Sequence, residues 1–170
     1  SAPIPYLCEI AKEVKKYKEE WQLKNRRYFK IAGITVRLEC DIPFEEIKFK
    51  SELEAFSVES PGDDNITLRH TFGMPDLKEK NLGDVLYHKA PWSISKKNNT
   101  LFYRGISPNG AEDNLHRLAV FSADHQHATI YSPAGQEESI RSHGFQSLSL
   151  FPTDQIWLCP LLADRQAVLL

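Results

Sequence analysis

The chain has 170 residues, 41% hydrophobic and 26% charged, with a formal net charge of −2 at pH 7 and a sequence pI of about 6.3. That length supports one domain with a sizeable core, or one domain plus a small appendage. The near-neutral balance speaks against a dedicated nucleic-acid binder, which carries a strong basic excess, and no run reaches the roughly 18 consecutive apolar residues of a membrane span.

Residues 5–23 predict an amphipathic helix. Ile10, Val14, Tyr17 and Trp21 fall at spacings of four, three and four, a narrow apolar stripe on a Lys/Glu-rich cylinder. Such a stripe packs on its own domain or, being coiled-coil-like, docks on another domain or subunit. The period then changes. Ile34, Val36, Leu38 and Cys40 alternate with Thr35, Arg37 and Glu39, which predicts a half-buried strand ending at Pro43. A charged connection over 44–63 closes in the turn cluster Ser60–Asp64. Residues 65–72 predict a second strand, with Ile66, Leu68, His70 and Phe72 on one side.

Residues 91–106 read as a hairpin with its tip at Lys97–Asn99, and residues 115–133 as another turning around Ala123–Gln126. Five to seven such strands imply an α+β fold, a mainly antiparallel sheet connected by hairpins, with an N-terminal amphipathic helix and a C-terminal helix. Residues 134–146 read as a loop or short helix. The C-terminal helix is expected to open near Pro152-Thr153-Asp154, with Ile156, Leu158, Leu161 and Leu162 facing the core and Pro160 loosening it.

Sites of chemistry are scarce. There is no Gly-Lys pair and no GxGxxG, GxSxG or HExxH pattern. Cys8, Cys40 and Cys159 are scattered and form no CxxC, so neither structural zinc nor a disulfide framework is expected; buried free thiols in a reducing compartment fit better. His125 and His127, within Asp124–His127, are candidate metal ligands, because residues two apart on a strand share a face; Asp113 and His116 could add ligands. A solvated turn explains the same residues more simply. His143 with Cys159 lacks a base–orienter arrangement, Asp164–Arg165 reads as a local ion pair, and Arg26–Arg27 reads as a solvated corner. Phe102, Tyr103, Phe121 and Tyr131 are packing aromatics first. No catalytic or cofactor-binding residue is assigned.

Two stretches carry a family likeness. Residues 28–44, YFKIAGITVRLECDIPF, resemble the first strand of HPr kinase-like proteins, with its aromatic start, Gly and D-x-P turn. Residues 147–170, SLSLFPTDQIWLCPLLADRQAVLL, resemble the segment just upstream of that family's nucleotide site. The resemblance implies that residues 26–170 are the sheet-rich N-terminal portion of a kinase-like domain and that residues 1–25 are a helical extension. It also implies that the phosphate loop, with ATP and Mg, follows beyond Leu170, and that this stretch alone is structural or partner-binding rather than catalytic. The expected partners are the downstream kinase-like segment or a protein or peptide, with no nucleic acid and no membrane; an oligomer stays open, and the cytoplasm is the expected location. A free-standing peptide- or protein-binding module is the alternative, followed by a small metal-dependent enzyme using His125 and His127.

Overall fold

The computed structural model describes residues 3–47, 54–63, 65–90, 92–106 and 118–143. Helix α1 (Pro3–Asn25) opens the chain. Its two prolines stand in the first turn, where amide protons have no intrahelical acceptor, and the rest is Lys, Glu and apolar residues of good helix propensity. The helix runs into strand β1 (Arg26–Ile31) without an intervening loop residue. Strand β2 (Ile34–Cys40) returns antiparallel, with Phe29 opposite Val36. The two-residue turn holds Ala32 at φ 50° and Gly33 at φ 83°. Positive φ at both positions matches the twist of a tight hairpin, and this turn makes a separate strand of residues that the alternation signal alone does not resolve.

After β2, Pro43 leads into a short 3-10 turn (Phe44–Glu46), and Phe44 and Ile47 fold back into the core. Then come β3 (Ser57–Val58), β4 (Asn65–Phe72), β5 (Asp84–Lys89), β6 (Trp92–Lys97), β7 (Thr100–Gly105), β8 (Leu118–Ser122) and β9 (His127–Ser132). Helix α2 (Glu137–His143) follows where a loop or short helix is expected. Both predicted hairpins form, β6–β7 around Asn98 at φ 53° and β8–β9 around residues 123–126. The expected helix carrying Ile156, Leu158, Leu161 and Leu162 lies outside the described residues.

Among the described residues the nine strands form one sheet in the order β3-β1-β2-β4-β9-β8-β7-β6-β5. The fold is α+β, as expected, but the sheet is mixed. Strand β4 is parallel to both of its neighbours, β2 and β9, while the remaining adjacent strands run antiparallel. Hairpin signals are local and say nothing about strands far apart in the chain, so a parallel splice at the centre is invisible to them. Parallel neighbours bury strands well. In β2 only Arg37 is not fully buried.

The register sets two unlike faces. Phe29, Val36, Leu38, Ile66, Leu68, Ala128, Ile130, Phe121 and Leu101 line one, in rows that run from β1 to β7. Ile42, Phe44, Ile47 and, more peripherally, Ile140 of α2 join this core. Arg141 ties α2 down, with Nε 2.7 Å from the Glu46 carboxylate and a further ion pair to Glu138. The other face carries Arg26, Tyr28, Thr35, Arg37, Glu39, Thr67, Arg69 and Thr129 in the alternate register.

Leu68 is 2% exposed at the middle of β4, with neighbours on both sides. Truncating a leucine so placed leaves a cavity and costs about 2–5 kcal/mol. Leu68→Ala is therefore expected to lower the unfolding free energy obtained from the urea transition by that amount; a loss under about 1 kcal/mol would contradict a core centred on β4.

Candidate binding groove

The end of α1 is the part of the helix that touches the sheet. Tyr6, Leu7, Ile10, Val14 and Tyr17 are exposed, Trp21 is half-buried, and Asn25 is buried. Asn25 donates its side-chain amide to the Cys40 carbonyl at 2.8 Å, fastening the helix C-terminus to the end of β2. Trp21 lies against the Arg69 guanidinium of β4, 4.9 Å from ring centroid to carbon, a cation–π contact between helix and polar face.

Beneath the helix sits a cluster of charges. Glu39, on β2, is 9% exposed and is approached by three arginines from three strands: Arg26 at 3.6 Å, Arg37 at 3.5 Å and Arg69 at 3.7 Å. Arg69 also binds Asp41 at 2.7 Å, and Asp41 accepts a hydrogen bond from Thr71 at 2.5 Å. A carboxylate this far from water costs several kcal/mol unless it is paired, and three guanidinium groups supply that pairing. At the outer edge Arg27 grips Glu54 in a two-pronged pair of 2.9 and 2.7 Å and also donates to Ser57. Those hydrogen bonds hold the Glu54 carboxyl below its usual range.

Three shallow hollows ring this junction. The largest, about 540 Å³, runs between the last turns of α1 and strands β1 and β3, with Gln22, Leu23, Arg26, Tyr28, Val58 and Glu59 on its walls. Two of about 300 Å³ flank Trp21, one toward Arg69 and one toward Asp41 and Pro43. Their lining mixes charges of both signs with aromatic and aliphatic surface, which suits a polypeptide partner better than a small apolar ligand. Of the thiols expected to be buried, Cys40, under the junction, is a packing group whose thiol burial pushes up to about 11, so it stays protonated, whereas Cys8 is exposed on α1.

The residues singled out by sequence fall elsewhere. His125 and His127 do not share a strand face. His125 sits in the turn at φ 55°, half-buried, its ring 5.5 Å from Phe121 and its Nε2 3.3 Å from the Tyr103 hydroxyl. His127 opens β9 on the polar face, opposite Thr67, and is exposed. The two-residue rule holds only within a strand, and β9 starts too late to include His125. Among the described residues no group of three or more His, Cys, Asp or Glu side chains is placed to hold a metal. Asp124 organises the turn itself, accepting from Ser122 Oγ at 2.6 Å and from the Gln126 amide at 3.0 Å, and these bonds hold its carboxyl below the usual range. Asp113, His116, Cys159, Asp164 and Arg165 lie outside the described residues. Tyr103 and Phe121 are buried, and Phe102 and Tyr131 half-buried.

Arg26 and Arg27 require a correction. They are not a solvated corner but the two arms that reach Glu39 and Glu54. The Glu39 cluster was not read from sequence at all. Its only local sign is the polar half of the β2 alternation, Arg37-x-Glu39, which looks like an ordinary wet face.

Comparison with protein-family models, curated proteins and solved structures finds no match to this chain. No described helix is long and apolar enough to cross a membrane.

Two variants probe these assignments. Glu39→Ala leaves three guanidinium groups facing one another and is expected to cost about 2–3 kcal/mol, somewhat under the usual loss for a fully buried pair because Arg37 and Arg69 reach water; chemical denaturation measures it, and a neutral result would mean the cluster is not coupled to folding. In the hairpin, His127→Ala is expected to stay within about 0.5 kcal/mol of wild type, while His125→Ala, which strips the Phe121 contact, costs about 1 kcal/mol. Equal effects would contradict their placement on different surroundings.

Proposed function

We propose that this chain is a structural, partner-binding region of an HPr kinase-like protein, with the ATP and Mg site on a segment that follows it. The likeness rests on two stretches, residues 28–44 and 147–170; the first forms two strands, the β1–β2 hairpin with its D-x-P exit, rather than one, and the second lies outside the described residues. The partner-binding role is carried by one observation: α1 stands on the sheet by its last turns and leaves the apolar stripe Leu7–Tyr17 and the adjoining hollows open. A lone apolar side chain at the surface is ordinary, whereas a regular stripe along one helix marks a contact surface.

The sequence contains no Gly-Lys pair and no phosphate-loop pattern of converging glycines followed by a lysine. Calorimetric titration with Mg·ATP is expected to show no stoichiometric site tighter than about 100 μM, roughly −5.5 kcal/mol; such a site would overturn the non-catalytic reading. The kinase-like assignment has its own test in the gene. A GxxxxGK[ST] pattern encoded beyond Leu170 is expected, and a stop codon or an unrelated module there would overturn it.

A further inference from the structure

The exposed stripe on α1 repeats with a spacing that names its partner. Leu7, Ile10, Val14, Tyr17 and Trp21 are separated by three, four, three and four residues, the a and d positions of successive heptads. The last of them, Trp21, is engaged by the chain's own Arg69. The others are unsupported by the sheet: Leu7 is 60% exposed, Ile10 38%, Val14 47% and Tyr17 70%.

The flanking charges discriminate between ways of covering that seam. With Leu7, Val14 and Trp21 at a, the g positions hold Glu13 and Glu20 and the e positions hold Ala11 and Lys18. In a parallel two-stranded coiled coil, a g residue faces the e residue five positions on in the other helix. Glu13 then meets Lys18 of the other copy, and two-fold symmetry makes the pair twice. Antiparallel packing would set g against g and e against e, which puts glutamate against glutamate on the g side and makes no opposite-charge pair on the e side, where Ala11 and Lys18 stand. The Lys15–Glu19 pair, 3.9 Å apart, lies at b and f on the outer side and leaves Glu13 and Lys18 unused by it.

We propose that α1 is a dimerisation helix that pairs in parallel with α1 of a second copy of this chain, in register, with Leu7, Ile10, Val14 and Tyr17 at the seam and Glu13–Lys18 pairs on both flanks. Among the described residues the sheet is attached at the C-terminal end of the helix, through Asn25 and Trp21, so two sheets stand side by side at one end of the pair. The inference takes the partner-binding role of α1 as its base and supplies the partner; it is independent of the kinase-like assignment.

Analytical ultracentrifugation of the full chain from about 1 to 200 μM tests it. The expected result is a monomer–dimer equilibrium. Ile10→Asp should abolish the dimer while leaving the sheet's circular dichroism unchanged and, at concentrations where the wild-type chain is monomeric, the unfolding midpoint unchanged as well. Glu13→Lys and Lys18→Glu should each weaken association about tenfold, since each turns two attractive flanking pairs repulsive. The double variant Glu13→Lys/Lys18→Glu should restore it to within about threefold of wild type. A chain that stays monomeric at the top concentration overturns the proposal but leaves a different protein partner for α1 open. A dimer insensitive to Ile10→Asp places the interface elsewhere and overturns it as well. Loss of the dimer with Ile10→Asp but no recovery in the double variant overturns the parallel register. If Ile10→Asp lowers the unfolding midpoint of a monomer, the seam is covered by this chain itself, and the proposal falls.

Discussion

Strand β4 holds the molecule together. It lies parallel between β2 and β9, and only through it do the antiparallel groups β3-β1-β2 and β9-β8-β7-β6-β5 become one sheet. Neither pairing can be closed by a tight turn. The chain leaves β2 at Cys40 and comes back beside it at β4 only after β3; it leaves β4 at Phe72 and comes back beside that strand at His127, after four intervening strands. Both closures cost loop entropy before any pairing is gained, so they need strong side-chain reasons. The rows Val36–Ile66 and Leu38–Leu68–Ala128 supply apolar burial. His70 adds specificity: it is fully buried between Cys40 and Ile130, and its Nε2 lies 2.8 Å from Ser132 Oγ. A slip of one residue would turn that ring to the other face and break the bond.

The polar face is held by a different logic. Glu39 and its three arginines cross-link β1, β2 and β4 on the side away from the apolar core. Desolvating these charges costs much of what their attraction returns, so the cluster contributes register and orientation more than net stability. It also prepares the seat of α1. Arg69 takes part in the Glu39 and Asp41 pairs while presenting its guanidinium to Trp21, so the electrostatics of the sheet and the angle of the helix depend on one side chain.

That seat has a functional consequence. A helix of 23 residues fixed by its last turns, and continuous with β1, is an arm rather than a layer of the fold. Among the described residues near it the polar groups are already spent: carboxylates on guanidinium groups and Cys40 in the core. Surface with satisfied charges and a regular apolar stripe is suited to recognition, and the proposed binding role rests on that.

The amino-acid sequence alone determined the local elements. Helix α1 followed from its stripe, β2 and β4 from strict alternation, and the β6–β7 and β8–β9 hairpins from turn residues between apolar runs, all signals contained within a few neighbouring residues. Strands β1, β3 and β5 escaped. Strand β1 is hidden by an Ala-Gly turn without the usual Asn or Asp, β3 is two residues long, and every residue of β5 is exposed, so no alternation marks it. Only the tertiary structure decided the parallel splice at β4, the divergence of His125 from His127, and the meeting of Arg26, Arg37 and Arg69 on Glu39. Each depends on which distant segments become neighbours, and the local periods of a sequence say which side of a strand is wet but not what stands beside it.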